Sequence, residues 1–460
     1  MTKLRNRIQK LVWKKIWVYI ILYVLTGFLV TAGFLFPGAD RTDFPVLRSV
    51  IIVFASVLLT KYFVYMILSP WHEVVAAAKY RTLRSGYEPL VSVIIPAWNE
   101  EVGLLTTVKS LLASTYRNLE IVVVNDGSTD NSDHMMTEFT QSWKRSRHRT
   151  DPKLIYHYQE NGGKGKALNT AIKLSSGDLI ISIDADCLVE PEAVYNFVKV
   201  FQDARVMAAV GNVKIGNTNT ILGTIQYLEF LFSFYFKRAD SLMNTIYIIG
   251  GAAGAFRREV FEKLGYYNTT NITEDIELSV RIQDAGMKIV YAHDAIIHTE
   301  GATTLNGLMK QRLRWKRGRF ETFAQFKHLF FSFRKKHNKV LTCAIMPLAL
   351  FGEVQLFAEL GFLGFLYMYS YLTNDYSSFL SGILVVGSMF LVQMLFDDKA
   401  TRKVSFILLA PIGWLLFYVS TLVEYQALVR SIWSLIRGQE IKWQRWQRSG
   451  VYDTLPAEVK

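Results

Sequence analysis

The sequence predicts an α/β protein whose mostly parallel sheet lies between membrane-length helical segments. Three observations predict it. Between 90 and 302, short continuous apolar runs alternate with stretches of helical spacing, the pattern of strands buried on both faces. Apolar stretches long enough to cross a bilayer flank that region. The chain is also 51% hydrophobic with a slightly positive mean hydropathy, which fits a folded aqueous domain joined to several spans.

The N-terminus opens with a basic cluster and then an apolar run from about Ile16 to Phe36. A cleaved signal has an apolar core of roughly 7–15 residues; this run is longer and is expected to stay as a span. A second run, Val46 to Leu68, brings the chain back. The link between them, 37–45, carries one arginine and two aspartates and suits the outer side. The net charge of +13 crowds beside the apolar segments. It points to anionic lipid headgroups and positive-inside topology, not to nucleic acid. Two cysteines, Cys187 and Cys343, argue for neither a disulfide framework nor a thiolate metal site.

From 90 the texture changes. Val91–Pro96, Leu119–Val124, Leu154–Tyr158 and Leu179–Ile183 read as strands, with helices at Leu104–Leu112 and Lys166–Leu174. In such sheets ligands bind beyond the carboxyl ends of the strands. Asn125-Asp126-Gly127 and Asp184-Ala185-Asp186 both fall at that edge. No Gly-x-Gly-x-x-Gly follows the first strand, and Gly162-Gly163-Lys164-Gly165-Lys166 lacks the spacing and closing Ser/Thr of a P-loop. From Thr303 to Lys336, phenylalanines at helical spacing share the segment with arginines and lysines, as in a helix lying at a membrane surface or facing a core. Three apolar runs follow, Val340–Tyr371, Phe379–Phe396 and Val404–Leu422. The tail's Arg430, Arg437, Lys442, Arg445 and Arg448 place it inside, which three simple passes do not. An interfacial, re-entrant or double pass among the runs reconciles the two. The expected organisation is two spans in 1–70, an aqueous domain in 90–302, an amphipathic interface segment in 303–338, membrane helices in 339–430 and a basic tail in 431–460.

The chemistry-bearing residues each have an ordinary reading as well. Asp184 and Asp186, one residue apart, share a face if the strand is extended, and can hold Mg²⁺ or Mn²⁺ through oxygen; alone, Asp-x-Asp is more often a solvated turn. Asp126 is a turn and cap residue, or a contact to a nucleoside. Lys164 and Lys166 are solvated lysines, or cations approaching phosphates from a glycine-rich loop. Asp275, after Thr273-Glu274, is a helix cap or a general base. Gln311, Arg314 and Trp315, at i, i+3 and i+4, put an amide, a guanidinium and an indole on one helix face. Membrane anchoring explains the last two but not why Gln311 joins them.

Taken in order, Pro96-Ala97-Trp98-Asn99-Glu100, Asn125-Asp126-Gly127-Ser128, Asp184-Ala185-Asp186, Thr273-Glu274-Asp275 and Gln311-x-x-Arg314-Trp315 resemble the motifs of processive family-2 glycosyltransferases with a GT-A fold. The stretches Gly250–Arg258, Asn271–Ile276 and Lys310–Trp315 look most like poly-β-1,6-N-acetylglucosamine synthases, with hyaluronan, chitin and cellulose synthases as relatives. Hyaluronan synthases usually have a second glutamine where Arg312 stands. The resemblance implies a GT-A nucleotide-sugar domain embedded between transmembrane and amphipathic interfacial helices. It implies Asp275 as catalytic base and a UDP site of Ala97, Trp98, Asn99, Asp126, Lys164, Lys166, Asp184, Gln311, Arg314 and Trp315. It further implies acceptor contacts at Gly254, Glu274 and Trp315, with the loop from Gly251 to Phe256 bordering the acceptor, and a Mg²⁺ or Mn²⁺ ion on Asp186 and Asp184. The implied enzyme is a multi-pass plasma-membrane protein, bacterial, with a cytoplasmic catalytic domain. It would use UDP-N-acetylglucosamine to extend a polysaccharide acceptor and pass it outward, among membrane lipids and with a small membrane subunit as possible partner. A single-transfer enzyme acting on a membrane lipid, or a non-catalytic nucleotide-binding scaffold, would keep parts of the same site.

Overall fold

The structure, a computed structural model, describes residues 45–80, 83–148, 150–374, 387–394 and 413–439, with residues 17, 19, 20, 24, 376, 396 and 450. The expected span 16–36 lies almost wholly outside the described residues, as do parts of 379–396 and 404–422 and most of the tail. The chain divides into two compact units. One comprises Met1–Lys79, Leu231–Leu242 and Ala344–Leu428; the other comprises Tyr80–Phe230, Met243–Cys343 and Val429–Lys460.

The second unit holds an eight-stranded sheet. Its strands are β1 (Val91–Ala97), β2 (Leu119–Asp126), β3 (Lys153–Gln159), β4 (Leu179–Ser182), β5 (Leu188–Val189), β6 (Val206–Ile215), β7 (Gly254–Arg257) and β8 (Lys288–Thr299). They lie in the order β3-β2-β1-β4-β7-β6-β8-β5. β1 pairs in parallel with both β2 and β4, β2 with β3, and β6 with β8, whereas β7 runs antiparallel to β4 and β6. Every residue of β1 and β2 is buried, because helices such as Leu104–Leu112 and Lys164–Leu174 cover the sheet with apolar faces. The carboxyl ends of β1, β2 and β4 therefore open onto one edge, where chain reversals expose polar groups.

Two expectations change here. β4 stops at Ser182 and Asp184-Ala185-Asp186 forms a turn before β5, so strand alternation does not set the direction of those carboxylates. The stretch 251–256 is not one loop: from Gly254 it is strand β7. Gly254 is buried there, and a Cβ would come within 2.9 Å of the Phe256 ring. At the start of β7, close packing against Phe256 and Ile249 gives that glycine a steric reason of its own.

The aromatic stripe also divides. The helix Leu305–Gln325 gives way to a single 3₁₀ turn, Lys327–Leu329. Phe323 and Phe326 are buried, whereas Phe331 and Phe333 are exposed.

In the first unit, the helix Pro45–Lys79 runs past the expected end of its apolar stretch, with Pro70 inside it. Among the described residues, one helix, Leu341–Leu372, is long and apolar enough to cross a membrane. Its Glu353 is buried, and Glu359 accepts a hydrogen bond from Thr421, so carboxylates that suit no lipid face are turned inward. Tyr62 stacks on Phe236, Phe232 meets both rings edge-on, and Arg238 is buried against Glu73. A last described helix covers Gly413–Ile436.

Candidate active site

β1 ends at Ala97, and the chain turns through Asn99 with φ +55°, a conformation asparagine tolerates. The Asn99 carboxamide oxygen accepts from the backbone N–H of Thr129 at 2.7 Å, and its own N–H donates to Ser128 Oγ at 2.9 Å. The loops after β1 and β2 are thereby tied together. Trp98 is half-buried beside them.

Asp126 closes β2 and is buried. Its carboxylate accepts from Gln159 Nε2 (2.6 Å) and from the backbone N–H groups of Gly162 (3.0 Å) and Gly163 (2.7 Å). Charge-assisted bonds of this kind hold the 159–163 loop in place. Gly127 has φ +71°, and a Cβ on it would lie 2.7 Å from the Asn161 nitrogen, so glycine is required there. The helix Lys164–Leu174 starts at the end of that loop and directs its first lysine inward. Lys164 Nζ lies 2.7 Å from Asp184 Oδ1 and 3.3 Å from Glu274 Oε1. Burial pulls the Lys164 ammonium down, but Asp184, Glu274 and Asp275 outweigh it and hold its pKa above the ordinary lysine value. Lys166 is exposed, its stem laid over Gly162. Of the two lysines, helix geometry puts Lys164 in the cluster.

Asp275 stands in the first turn of the helix Glu274–Asp284. Its Oδ2 accepts from the Gly251 N–H at 2.9 Å and its Oδ1 from the Ile276 N–H at 2.9 Å. Ser279 Oγ donates to the Asp275 carbonyl and accepts from the Ile249 N–H. Gly251 marks the point of convergence. A Cβ there would be 2.8 Å from Lys164 Nζ, 3.6 Å from Asp275 Oδ2 and 3.7 Å from Asp184 Oδ1. Burial, joined by Glu274, pushes the Asp275 carboxyl up to about 6, against the pull of Lys164, the Ile276 N–H and Arg314. The carboxylate is thus anionic at neutral pH yet basic enough to take a proton.

The shift also has a sign for stability. The Asp275 pKa rises from 3.8 to about 6 on folding, so the folded state holds its proton more tightly. The resulting destabilisation is absent below pH 3.8, grows between 3.8 and 6, and is complete above 6. A rise of about two units is worth up to about 3 kcal/mol. Asp275→Asn is therefore expected to raise the thermal midpoint by several degrees at pH 7.5 and to lose that advantage toward pH 4. A midpoint lowered at pH 7.5 would contradict the assigned environment.

The helix Leu305–Gln325 docks on this region through one stripe. Gly318 meets Thr273, where a Cβ would fall 2.0 Å from Oγ1. Thr322 accepts from Asn271 Nδ2, and Gln325 donates to Glu277. Continued toward the N-terminus at alternating steps of four and three, the same stripe carries Trp315 and Gln311. Arg314 lies near enough to lower the Asp275 pKa. Arg312, buried, pairs with Glu229 at 2.5 Å and places its guanidinium 4.4 Å from the Trp315 ring centre, an arrangement that fixes the indole.

The structure thus gathers Lys164, Asp184, Gly251, Glu274, Asp275 and Arg314. It places Ala97, Asn99 and Asp126 at the adjoining strand ends. Asp186 is buried with its Cα close to Gly103. Sequence reasoning missed Gly318, whose signal was a glycine inside a helical stretch, normally worth about 1 kcal/mol against alanine. It also missed Glu229, which carried no motif. For a divalent cation, Asp184 and Asp186 offer hard oxygen donors. No group of three or more His, Cys, Asp or Glu among the described residues could hold a metal. Two carboxylates still fit Mg²⁺ or Mn²⁺ if water and diphosphate oxygens fill the other positions. The two cysteines are unpaired, and Cys187 is buried beside Asp186.

The chain matches the family Glycosyl transferase family 2 over residues 92–265 and the family Glycosyl transferase family group 2 over residues 179–421. It is similar to the poly-β-1,6-N-acetyl-D-glucosamine synthase of Staphylococcus aureus strain COL, 32% identical over 233 residues, 50% of this chain and 55% of that protein. A Staphylococcus epidermidis protein of the same name is 28% identical over 336 residues, covering 70% of this chain and 78% of the relative. The chain thus spans about half the length of the S. aureus relative it matches. Among solved structures, a mannosyltransferase from Pyrobaculum calidifontis, described in complex with GDP-Man and Mn²⁺, aligns with a TM-score of 0.50 at 19% identity. That alignment covers 84% of this chain and all of the other; the likeness is one of fold.

Proposed function

Because the chain belongs to glycosyl transferase family group 2 and is a glycosyltransferase, we propose that it polymerises a UDP-sugar, UDP-N-acetylglucosamine in the first instance, into a β-linked polysaccharide by repeated inverting transfer at a membrane. The convergence of Lys164, Asp184 and Asp275 around Gly251, with Arg314 in electrostatic reach of Asp275, carries this reading. Asp275 takes the proton of an acceptor hydroxyl. That oxygen forms the new bond to the anomeric carbon from the face opposite the leaving group. The bond to the diphosphate breaks, and UDP departs with its electron pair. Lys164 and Arg314 are the chain's own cations for the growing charge on the diphosphate. A divalent ion held by Asp184 and Asp186 would supply further neutralisation when bound. Asp126, Ala97 and Asn99 shape the nucleoside end of the site, and Trp315 offers an apolar face to the acceptor sugar. The name of the staphylococcal relatives supports the choice of sugar and polymer. The apolar helix Leu341–Leu372 supports the membrane setting and an outward path for the product.

The test is the purified full chain in lipid with UDP-N-acetylglucosamine and Mg²⁺ or Mn²⁺. UDP release and a ladder of N-acetylhexosamine masses are expected. A product that never exceeds one added sugar would replace the polymerase with a single-transfer enzyme. Absence of UDP release with every UDP-sugar tried would remove the donor class. The rate should also rise with pH through about 6, following Asp275.

A further inference from the structure

Three polar side chains support the helix Leu305–Gln325 from outside, and none of them has a part in the transfer proposed above. Gln226 and Glu229 stand one turn apart on the helix Ile221–Met243. Asn217 lies just past the end of β6. The Asn217 carboxamide donates to the Gly301 carbonyl at 2.9 Å and accepts from the Gly301 N–H at 2.8 Å. The Gln226 carboxamide does the same for Ala302, at 2.9 Å in both directions. Both amides are buried. They take the place of a neighbouring strand, so the backbone just ahead of Leu305 is fixed at N–H and C=O alike.

Glu229 fixes the same helix farther along. Its carboxylate pairs with Arg312 at 2.5 Å. Arg312 is 7% exposed, and a guanidinium so far out of water is costly unless a counter-charge meets it. The partnered guanidinium lies 4.4 Å from the centre of the Trp315 ring. Arg312 and Trp315, at i and i+3, share one helix face. The indole is half-buried, backed by the cation, with part of the ring left for a ligand. Arginine and tryptophan side chains have several rotamers, and the ion pair together with the ring contact selects one arrangement. Turning the helix about its axis would break the Glu229 pair. Sliding it would break the amide clamps at 301 and 302.

We propose that Glu229 is a positioning residue for the acceptor sugar. Through Arg312 it holds the Trp315 ring at the height and tilt at which the end of the growing chain stacks. A ring fixed beforehand loses little freedom when a sugar binds. The effect falls on the acceptor, because Lys164, Asp184 and Asp126 are held by other elements. This role deepens the proposed function and rests on it.

The experiment uses the full chain in lipid, with UDP-N-acetylglucosamine as donor and a soluble β-linked N-acetylglucosamine oligosaccharide as acceptor. Two variants are compared with the parent. Glu229→Gln keeps the shape and loses the charge. Glu229→Leu combined with Arg312→Met removes both charges at once, which leaves no buried ion unpaired and spares the fold. In both, the acceptor KM should rise about tenfold, the size of one lost ring contact, while donor KM and calorimetric UDP affinity stay within about twofold. Product collected at equal UDP release should be shorter. Parent-like acceptor KM and product length in the double variant overturn the positioning role and leave the transferase reading standing. Donor and acceptor KM rising together, with a lowered thermal midpoint in both variants, makes the pair a structural support only and also overturns it. A parent that neither releases UDP nor extends the oligosaccharide overturns the proposed function, and the positioning role falls with it.

Discussion

Asp275→Asn is expected to lower turnover by about 10²–10⁴-fold, the range for loss of a positioned base, while UDP affinity stays within a few-fold of the parent. The asparagine keeps the volume and can still accept from the Gly251 or Ile276 N–H. It cannot take the acceptor's proton. Single-turnover rates alongside nucleotide titration by calorimetry separate the two effects. Lost UDP binding with an intact thermal midpoint would assign the residue to the donor and not to the proton. Residual turnover that still rises through about pH 6 would point to another base, with Glu274 the next carboxylate in the cluster.

Gly318→Ala is the second large effect, and it is steric. The added methyl carbon would lie 2.0 Å from Thr273 Oγ1 and 2.4 Å from Cγ2, and Thr273 is itself buried. Helix Leu305–Gln325 must back away from the first turn of the helix that bears Asp275. Overpacking of this kind costs about 1–3 kcal/mol. A loss of activity larger than that stability change implies should follow, because Gln311, Arg314 and Trp315 ride on the displaced helix. The reciprocal change Thr273→Gly, combined with Gly318→Ala, should recover part of both. Parent-like activity and midpoint in Gly318→Ala alone would show that the helix is not docked there.

The sequence carried the first half of the sheet plainly. β1, β2 and β4 are mainly apolar runs and β3 is a more mixed one, each with Asn or Asp at or just beyond its end, and each lies within a residue or two of its expected limits. The second half was obscured by its own irregularities. β6 and β8 pair with register shifts near Gly211 and Asn212, and His293-Asp294 interrupts the apolar pattern of β8. β7 has four residues, too few for periodicity to show. At the site, the motifs named several residues that the fold brings together, but only the fold decided between Lys164 and Lys166, because one side chain per turn points inward. The turn at Asp184–Asp186 and the burial that lifts Asp275 are tertiary effects with no local signature. Glu229 becomes legible only once Arg312 is seen to need a buried counter-charge.

The two hydrogen bonds from the 249–251 backbone to Ser279 Oγ and the Asp275 carboxylate have a consequence for the repeated transfer proposed above. They join the proposed base and the backbone at Gly251 into one stiff piece. Successive cycles then need only the sugar chain to advance, and accuracy over a long product comes from parts that never have to find each other again.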